Sequence, residues 1–168
     1  MIHVCSLARL YGTIDETGAR HIVTLLRRTD RVVRPVHIAS ENHLILGVDD
    51  ICDPMDGYMC PAEEHVGRLI DFASRWDRTS PMVVHCFAGI SRSTAGAFVA
   101  ACAINPQRDE QEIAWAIRRA SRTAQPNARI VAIADQLLKR DGRMVRAVET
   151  IGPGQAAVEG EPFRLDLG

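Results

Sequence analysis

Short apolar runs alternate along this chain with segments in which apolar residues recur every three or four positions. Ile2–Cys5, His21–Leu26, His43–Val48 and Pro81–Val84 are compact and rich in aliphatic residues, as strands of a largely buried sheet are. Residues 6–18 carry Leu7, Leu10, Tyr11 and Ile14 at helical spacing between a candidate cap at Ser6 and a stop at Gly18. The segment 61–76 repeats the pattern with Val66, Leu69, Ile70 and Ala73 inward. Ser93–Ile104 is small and apolar throughout, as a buried helix would be, and ends near Asn105-Pro106. Two further helices are expected at 109–120 and 127–140, closed by Asp141-Gly142, and a short one at 143–151. Strands interleaved with helices predict an α/β fold, a central mostly parallel or mixed sheet of four to five strands flanked by helices. Ligands bind such sheets at the carboxyl ends of their strands. Residues 1–151 are expected to form one domain, and 152–168, with their glycines and prolines, a tail of uncertain order.

The strand ending at Val84 runs into His85-Cys86-Phe87-Ala88-Gly89-Ile90-Ser91-Arg92-Ser93, immediately before the small-residue helix. At a helix start the first backbone N–H groups lack intrahelical partners and the helix dipole is positive, so an anion is favoured there. Gly89 allows the backbone to curl. Arg92 adds a planar fork able to hold two phosphoryl oxygens. Cys86 lies at the floor of this cup, where a thiolate is stabilised by the same groups that would hold a phosphate. A thiolate in line with phosphorus is a nucleophile for covalent catalysis, and the arginine and amides can carry the transition-state charge, so no metal or other cofactor is called for.

This stretch resembles the signature loop of the cysteine-based protein tyrosine phosphatases, and Ala88-Gly89-Ile90-Ser91-Arg92-Ser93 is similar to that of their dual-specificity branch. The resemblance implies Cys86 as nucleophile, Arg92 as phosphate clamp, His85 as a neighbour that tunes the cysteine, and Ser93 as the group that helps the thiolate leave. Phe87, Ala88, Gly89, Ile90 and Ser91, with His85 and Arg92, would form the substrate-binding loop. The Gly-Arg-Thr-Gly and Trp-Pro-Asp sequences usual in the larger classical enzymes are absent, which favours the smaller branch.

Such a reaction also needs a proton donor for the leaving oxygen. Asp49, Asp50, Asp53 and Asp56 follow the third expected strand. Val48-Asp49-Asp50 matches the Val-x-Asp arrangement of the dual-specificity branch, which selects Asp50; Asp53 and Asp56 remain alternatives and Asp49 the weakest. Asp50 precedes Cys86 by 36 residues (50 to 86), which implies an extended loop, and Cys52–Pro61 supplies one. A second similarity is Pro126-Asn127, found in dual-specificity domains near the end of the catalytic unit; Asn127 is also a good helix cap.

A chain of 168 residues with 46% hydrophobic content suffices for one buried core, and a net charge of −1 argues against generic binding to nucleic acid or anionic membrane. No run approaches a membrane span and no signal sequence opens the chain. Five cysteines in dissimilar contexts form neither a disulfide framework nor a zinc spacing, and a reactive thiolate implies a reducing compartment, the cytoplasm. Cys5 and Cys102 read as core residues; Cys52 and Cys60 fall in the acid-bearing loop. The five residues between Cys86 and Arg92 include no basic one, which leans toward a phosphorylated protein or peptide, phosphotyrosine foremost, over inositol lipids. The rival readings are a sulfurtransferase, an arsenate reductase and a non-catalytic phosphoprotein-binding module; retention of both Cys86 and Arg92 argues against the last.

Overall fold

In the computed structural model, which describes residues 1–168, strands β1 (Ile2–Ser6), β2 (His21–Leu26), β3 (His43–Gly47), β4 (Met82–Cys86) and β5 (Phe163–Leu165) form one sheet in the order β3-β2-β4-β1-β5. The first four are parallel, and β5 pairs antiparallel with β1. The helices are α1 (Leu10–Thr17), α2 (Glu63–Arg75), α3 (Arg92–Ile104), α4 (Glu110–Ala120), α5 (Ala128–Leu137) and α6 (Arg143–Ile151). No helix is long and apolar enough to cross a membrane.

Alternation along the strands divides the core in two. On one face Cys5, Ile22 and Val83 pack with Leu10 and Ile14 of α1 and with Ile38. On the other, Val4, Val23, Leu25, Val84 and Cys86 join the larger cluster formed with α2 to α6. Strand β4 lies between β1 and β2, so its carboxyl end opens at the middle of the sheet.

Helix α3 is buried from Arg92 to Cys102. Its small residues let it approach closely: a Cβ added at Gly96 would stand 3.1 Å from Val84 Cγ1 and 3.2 Å from Leu25 Cδ1. The amphipathic helices of the same layer are joined through a buried ion pair, in which Arg140 Nη1 donates to Glu110 Oε1 at 2.7 Å while Nη2 donates to the Cys102 carbonyl. That last bond ties α3 to the loop after α5.

Three expectations need correction. Ser6 does not cap α1; it ends β1, and the helix begins at Leu10, with Gly18 closing it in the left-handed conformation. Tyr11 faces outward, where its hydroxyl donates to the Val33 carbonyl and accepts from the Val33 N–H, pinning the polar 27–42 loop. Residues 152–168 follow a defined course instead of trailing from the domain. Their last part is β5, whose alternation of Phe163, Leu165 and Leu167 inward with Arg164 and Asp166 outward was obscured by the glycines and prolines before it. Leu165 is 1% exposed. Leu165→Ala is therefore expected to cost about 3 kcal/mol in urea denaturation; a cost below about 0.5 kcal/mol, usual for surface positions, would mean that β5 is not part of the core.

Candidate active site

The chain between Cys86 and Arg92 turns around a centre because its carbonyls are held from outside. Leu7 N–H donates to the Phe87 carbonyl at 3.1 Å, Gly160 N–H to Ala88 at 2.8 Å, Gln125 N–H to Ile90 at 2.9 Å and Asn127 N–H to Ser91 at 3.2 Å. In a planar trans peptide the carbonyl and the following N–H point opposite ways. Four carbonyls fixed outward thus turn the amides of Ala88, Gly89, Ser91 and Arg92 inward. Gly89 N–H lies 3.3 Å from Cys86 Sγ and donates to it.

Gly89 has φ +73°, and a Cβ there would lie 2.8 Å from the Ser6 nitrogen and 2.9 Å from the Cys5 carbonyl carbon. Both the left-handed backbone and the contact with β1 exclude a side chain. Cys86 is 2% exposed at the bottom of the turn, with Sγ 3.1 Å from Ser93 Oγ. Arg92 is also buried, its Nη1 donating to the Val48 carbonyl at 3.0 Å, while Nε has no protein partner. A buried guanidinium with an unused donor beside a ring of inward amides is a receptor for a tetrahedral oxyanion. Phe87 stands exposed on the rim, with Ala88, Ile90 and Ser91 partly buried around it.

Of the four candidate acids, Asp50 meets this loop. Its Oδ1 accepts from Ser91 Oγ at 2.7 Å and from Asn127 Nδ2 at 2.9 Å. Asp49 turns away, its carboxylate accepting from Met59 N–H at 2.7 Å to close the 49–59 loop on itself. Asp53 and Asp56 are exposed, without a side-chain hydrogen bond or ion pair. Asn127 does two things at once: its Oδ1 caps α5 by accepting from Ile130 N–H, and its Nδ2 holds Asp50 and the Ile51 carbonyl. Arg129, which the sequence pattern did not single out, donates to the carbonyls of Pro61 and Cys52 and fastens the same loop to α5. Nor did sequence signal Glu159 or Gly160, which meet Ser6 Oγ and the Ala88 carbonyl from the far end of the chain. The contacts are local only in space.

His85 is corrected as a substrate-binding residue. One position before Cys86 on β4, it points to the opposite face of the sheet and is fully buried, its Nε2 2.7 Å from Thr24 Oγ1, which in turn lies 2.8 Å from His43 Nε2. It supports the loop from behind. Cys5 and Cys102, expected in the core, are there, and burial pushes their thiols up to about 11 and about 12. Cys52 is exposed and Cys60 half-buried.

Burial pushes the His85 imidazole down to about 4; the positive fields of His43 and Arg92 act in the same sense, and the Cys86 backbone opposes them without prevailing. His85 thus stays neutral in the fold at pH values where the unfolded chain, with an ordinary imidazole near 6.5, takes up a proton. Stability is fully present above the unfolded value and falls as pH drops toward 4, by about 3 kcal/mol from this group. Urea titrations between pH 7 and 4 should show that loss, and His85→Gln should remove about half or more of the slope whatever its effect at neutral pH. An unchanged slope would contradict the neutral, buried assignment.

The family model described as Protein-tyrosine phosphatase matches residues 57–134, a span that contains the whole Cys86–Arg92 loop. The crystal structure of DUSP15 superimposes with a TM-score of 0.63 at 19% identity, covering 89% of this chain and 90% of that one. The PTP-2 phosphatase of Cydia pomonella gives 0.61 at 17% identity over 80% and 84% of the two chains, and PTPMT1 in complex with PI(5)P gives 0.63 at 13% over 83% and 91%. At these identities the structures establish a shared fold. No curated protein matches the chain in sequence. Over residues 57–134, which include the whole Cys86–Arg92 loop, this chain is thus similar to the Protein-tyrosine phosphatase family model, and its sheet and helix arrangement is the fold of DUSP15.

Proposed function

We propose that this chain is a cysteine-based phosphatase that hydrolyses phosphate monoesters of proteins or peptides, phosphotyrosine foremost, through a cysteinyl-phosphate intermediate and without a metal. The observation that carries the proposal is the meeting of three groups at one loop: Cys86 Sγ accepts from Gly89 N–H, Asp50 accepts from Ser91 Oγ, and the buried Arg92 keeps an unpartnered Nε. The phosphoryl oxygens would sit on those amides and on the free donors of Arg92. Cys86 thiolate attacks phosphorus, a P–S bond forms as the P–O bond to the leaving group breaks, and Asp50 gives its proton to the departing oxygen. Water then attacks phosphorus from the vacated side, Asp50 takes its proton, and the P–S bond breaks to release inorganic phosphate. Ser93 Oγ, 3.1 Å from Sγ, donates to the sulfur as it regains charge.

Phosphopeptide is favoured over inositol phosphate because Phe87 to Ser91 contribute no cation to the rim, whereas exposed Phe87 offers an apolar surface to an aromatic ring. The cytoplasm would keep the five free cysteines reduced. The catalytic unit includes β5, since the Ala88 carbonyl is held by Gly160.

An aryl phosphate and a phosphotyrosine peptide, assayed with chelator present, should be turned over by the native protein. Cys86→Ser should reduce kcat to background, and Asp50→Asn should lower it by about 10²- to 10⁴-fold for alkyl or phenolic leaving groups of high pKa, and by far less for an activated nitrophenol. Turnover that survives in Cys86→Ser, or that requires added metal, would overturn the proposal.

A further inference from the structure

Beside the Cys86 loop, at the carboxyl ends of β2 and β3, lies a second cavity of about 430 Å³, lined by Arg27, Arg28, Asp49, Tyr58 and Met59 among others. Its position relative to the catalytic loop follows from the sheet. Thr24 is the last residue of β2 in register with β4, opposite His85, so Arg27, three residues on, leaves β2 at the same end of the sheet as the loop that follows Cys86. Asp50, next in the chain to the cavity residue Asp49, is bonded to Ser91 of the loop. The Asp49-Asp50 step is therefore the wall the two sites share.

The cavity's charges are unequally used. Asp49 spends its carboxylate on the Met59 N–H at 2.7 Å. Arg28 forms no ion pair, and Arg27 forms one long, exposed contact of 3.5 Å with Asp30. Arg28 is set in place by Gly47 at the end of β3, where a Cβ would fall 2.7 Å from its Cγ. Tyr58 is 53% exposed at the same opening. Two guanidinium groups with free donors, facing one occupied carboxylate, select an anion.

We infer that the Arg27–Arg28 cavity is a specificity subsite for a second anionic side chain, carboxylate or phosphate, on a phosphopeptide whose phosphotyrosine occupies the Cys86 loop. The inference rests on the phosphatase reading above and adds its substrate preference. Extended chain advances ~3.4 Å per residue, so the recognised residue lies one to three positions from the phosphotyrosine. This division of labour also accounts for a catalytic rim without basic residues: the cations that read sequence stand one strand over.

The test compares kcat/KM for phosphotyrosine peptides that differ only in one flanking position, bearing Ala, Glu or a second phosphotyrosine at each of the three positions on either side. At the preferred position the acidic and doubly phosphorylated peptides should exceed the Ala peptide by roughly three- to tenfold, more at low than at high salt. In R27A/R28A that ratio should fall to about one, and in R27E/R28E it should invert in favour of a Lys-flanked peptide. Thermal unfolding of each variant checks that the fold persists, and the inversion cannot come from a damaged fold. A ratio near one in the native protein, or one untouched by both variants, overturns the subsite and leaves the phosphatase reading standing. Variants that lower turnover of phosphoinositide in mixed vesicles while leaving the peptide ratio intact overturn it in favour of a lipid headgroup. Absence of turnover on every peptide and on the aryl phosphate overturns both.

Discussion

The loop from Cys86 to Arg92 depends on how its own carbonyls are held. A seven-residue turn with several peptide N–H groups aimed at one point is unfavourable by itself, since the partial positive charges converge. Here the opposite ends of those peptides are each bound by a different part of the chain: Leu7 after β1, Gly160 near the carboxyl terminus, Gln125 before α5, and Asn127 at its cap. The binding of four carbonyls outside fixes four amides inside. Remove the outer bonds and the loop has no reason to keep its shape. That is why residues from position 7 to position 160 bear on the shape of a loop of nine, 85–93.

The same outer ring orders the rest of the fold. Strand β5 brings Gly160 to the Ala88 carbonyl, and the site at Gly160 has room for hydrogen only, since a Cβ would lie 2.8 Å from the Gly89 oxygen. Asn127, the cap of helix α5, and Arg129 within it draw the loop from Asp50 to Pro61 toward Ser91. Helix α3 keeps Arg92 at the mouth because the Ala and Gly residues behind it sit tightly on Val84 and Leu25. Stability and chemistry therefore share residues. His85 shows the cost: a polar ring with no exposure, stabilised through Thr24 and His43, holds β4 from behind and is kept neutral by its surroundings.

Much of this was legible in the sequence where physics is local. The strands at 21–26 and at 43–48, the latter ending one residue earlier at Gly47, the helix at 143–151, the αL stop at Gly18 and the strand-loop-helix run around Cys86 all follow from hydrophobic period and turn chemistry over short spans. Asp50 is favoured over its neighbours only through the Val-x-Asp resemblance, yet what separates it from Asp49 in space is a contact with Ser91 across 41 positions, and what occupies Asp49 is a backbone N–H ten residues on. The side-chain direction of His85 followed from the alternation of β4 and was hidden by its adjacency to Cys86. Tyr11 satisfied the helical period but carries a hydroxyl whose partner, Val33, lies in an irregular loop. The strand at 163–165 was too short to stand out, and its value lies in pairing with β1.

The central claim is that this ring of amides with Arg92 makes Cys86 the acceptor of the phosphoryl group. Rapid acid quench of the native protein with an excess of aryl phosphate, followed by peptide mass spectrometry, tests it directly. One phosphoryl group, linked through sulfur, on the peptide containing Cys86, absent from Cys86→Ser and accumulating further in Asp50→Asn with an activated leaving group, is the predicted result. Phosphate on any other residue, or steady turnover with no phosphorylated Cys86 in either the native protein or Asp50→Asn, would contradict it.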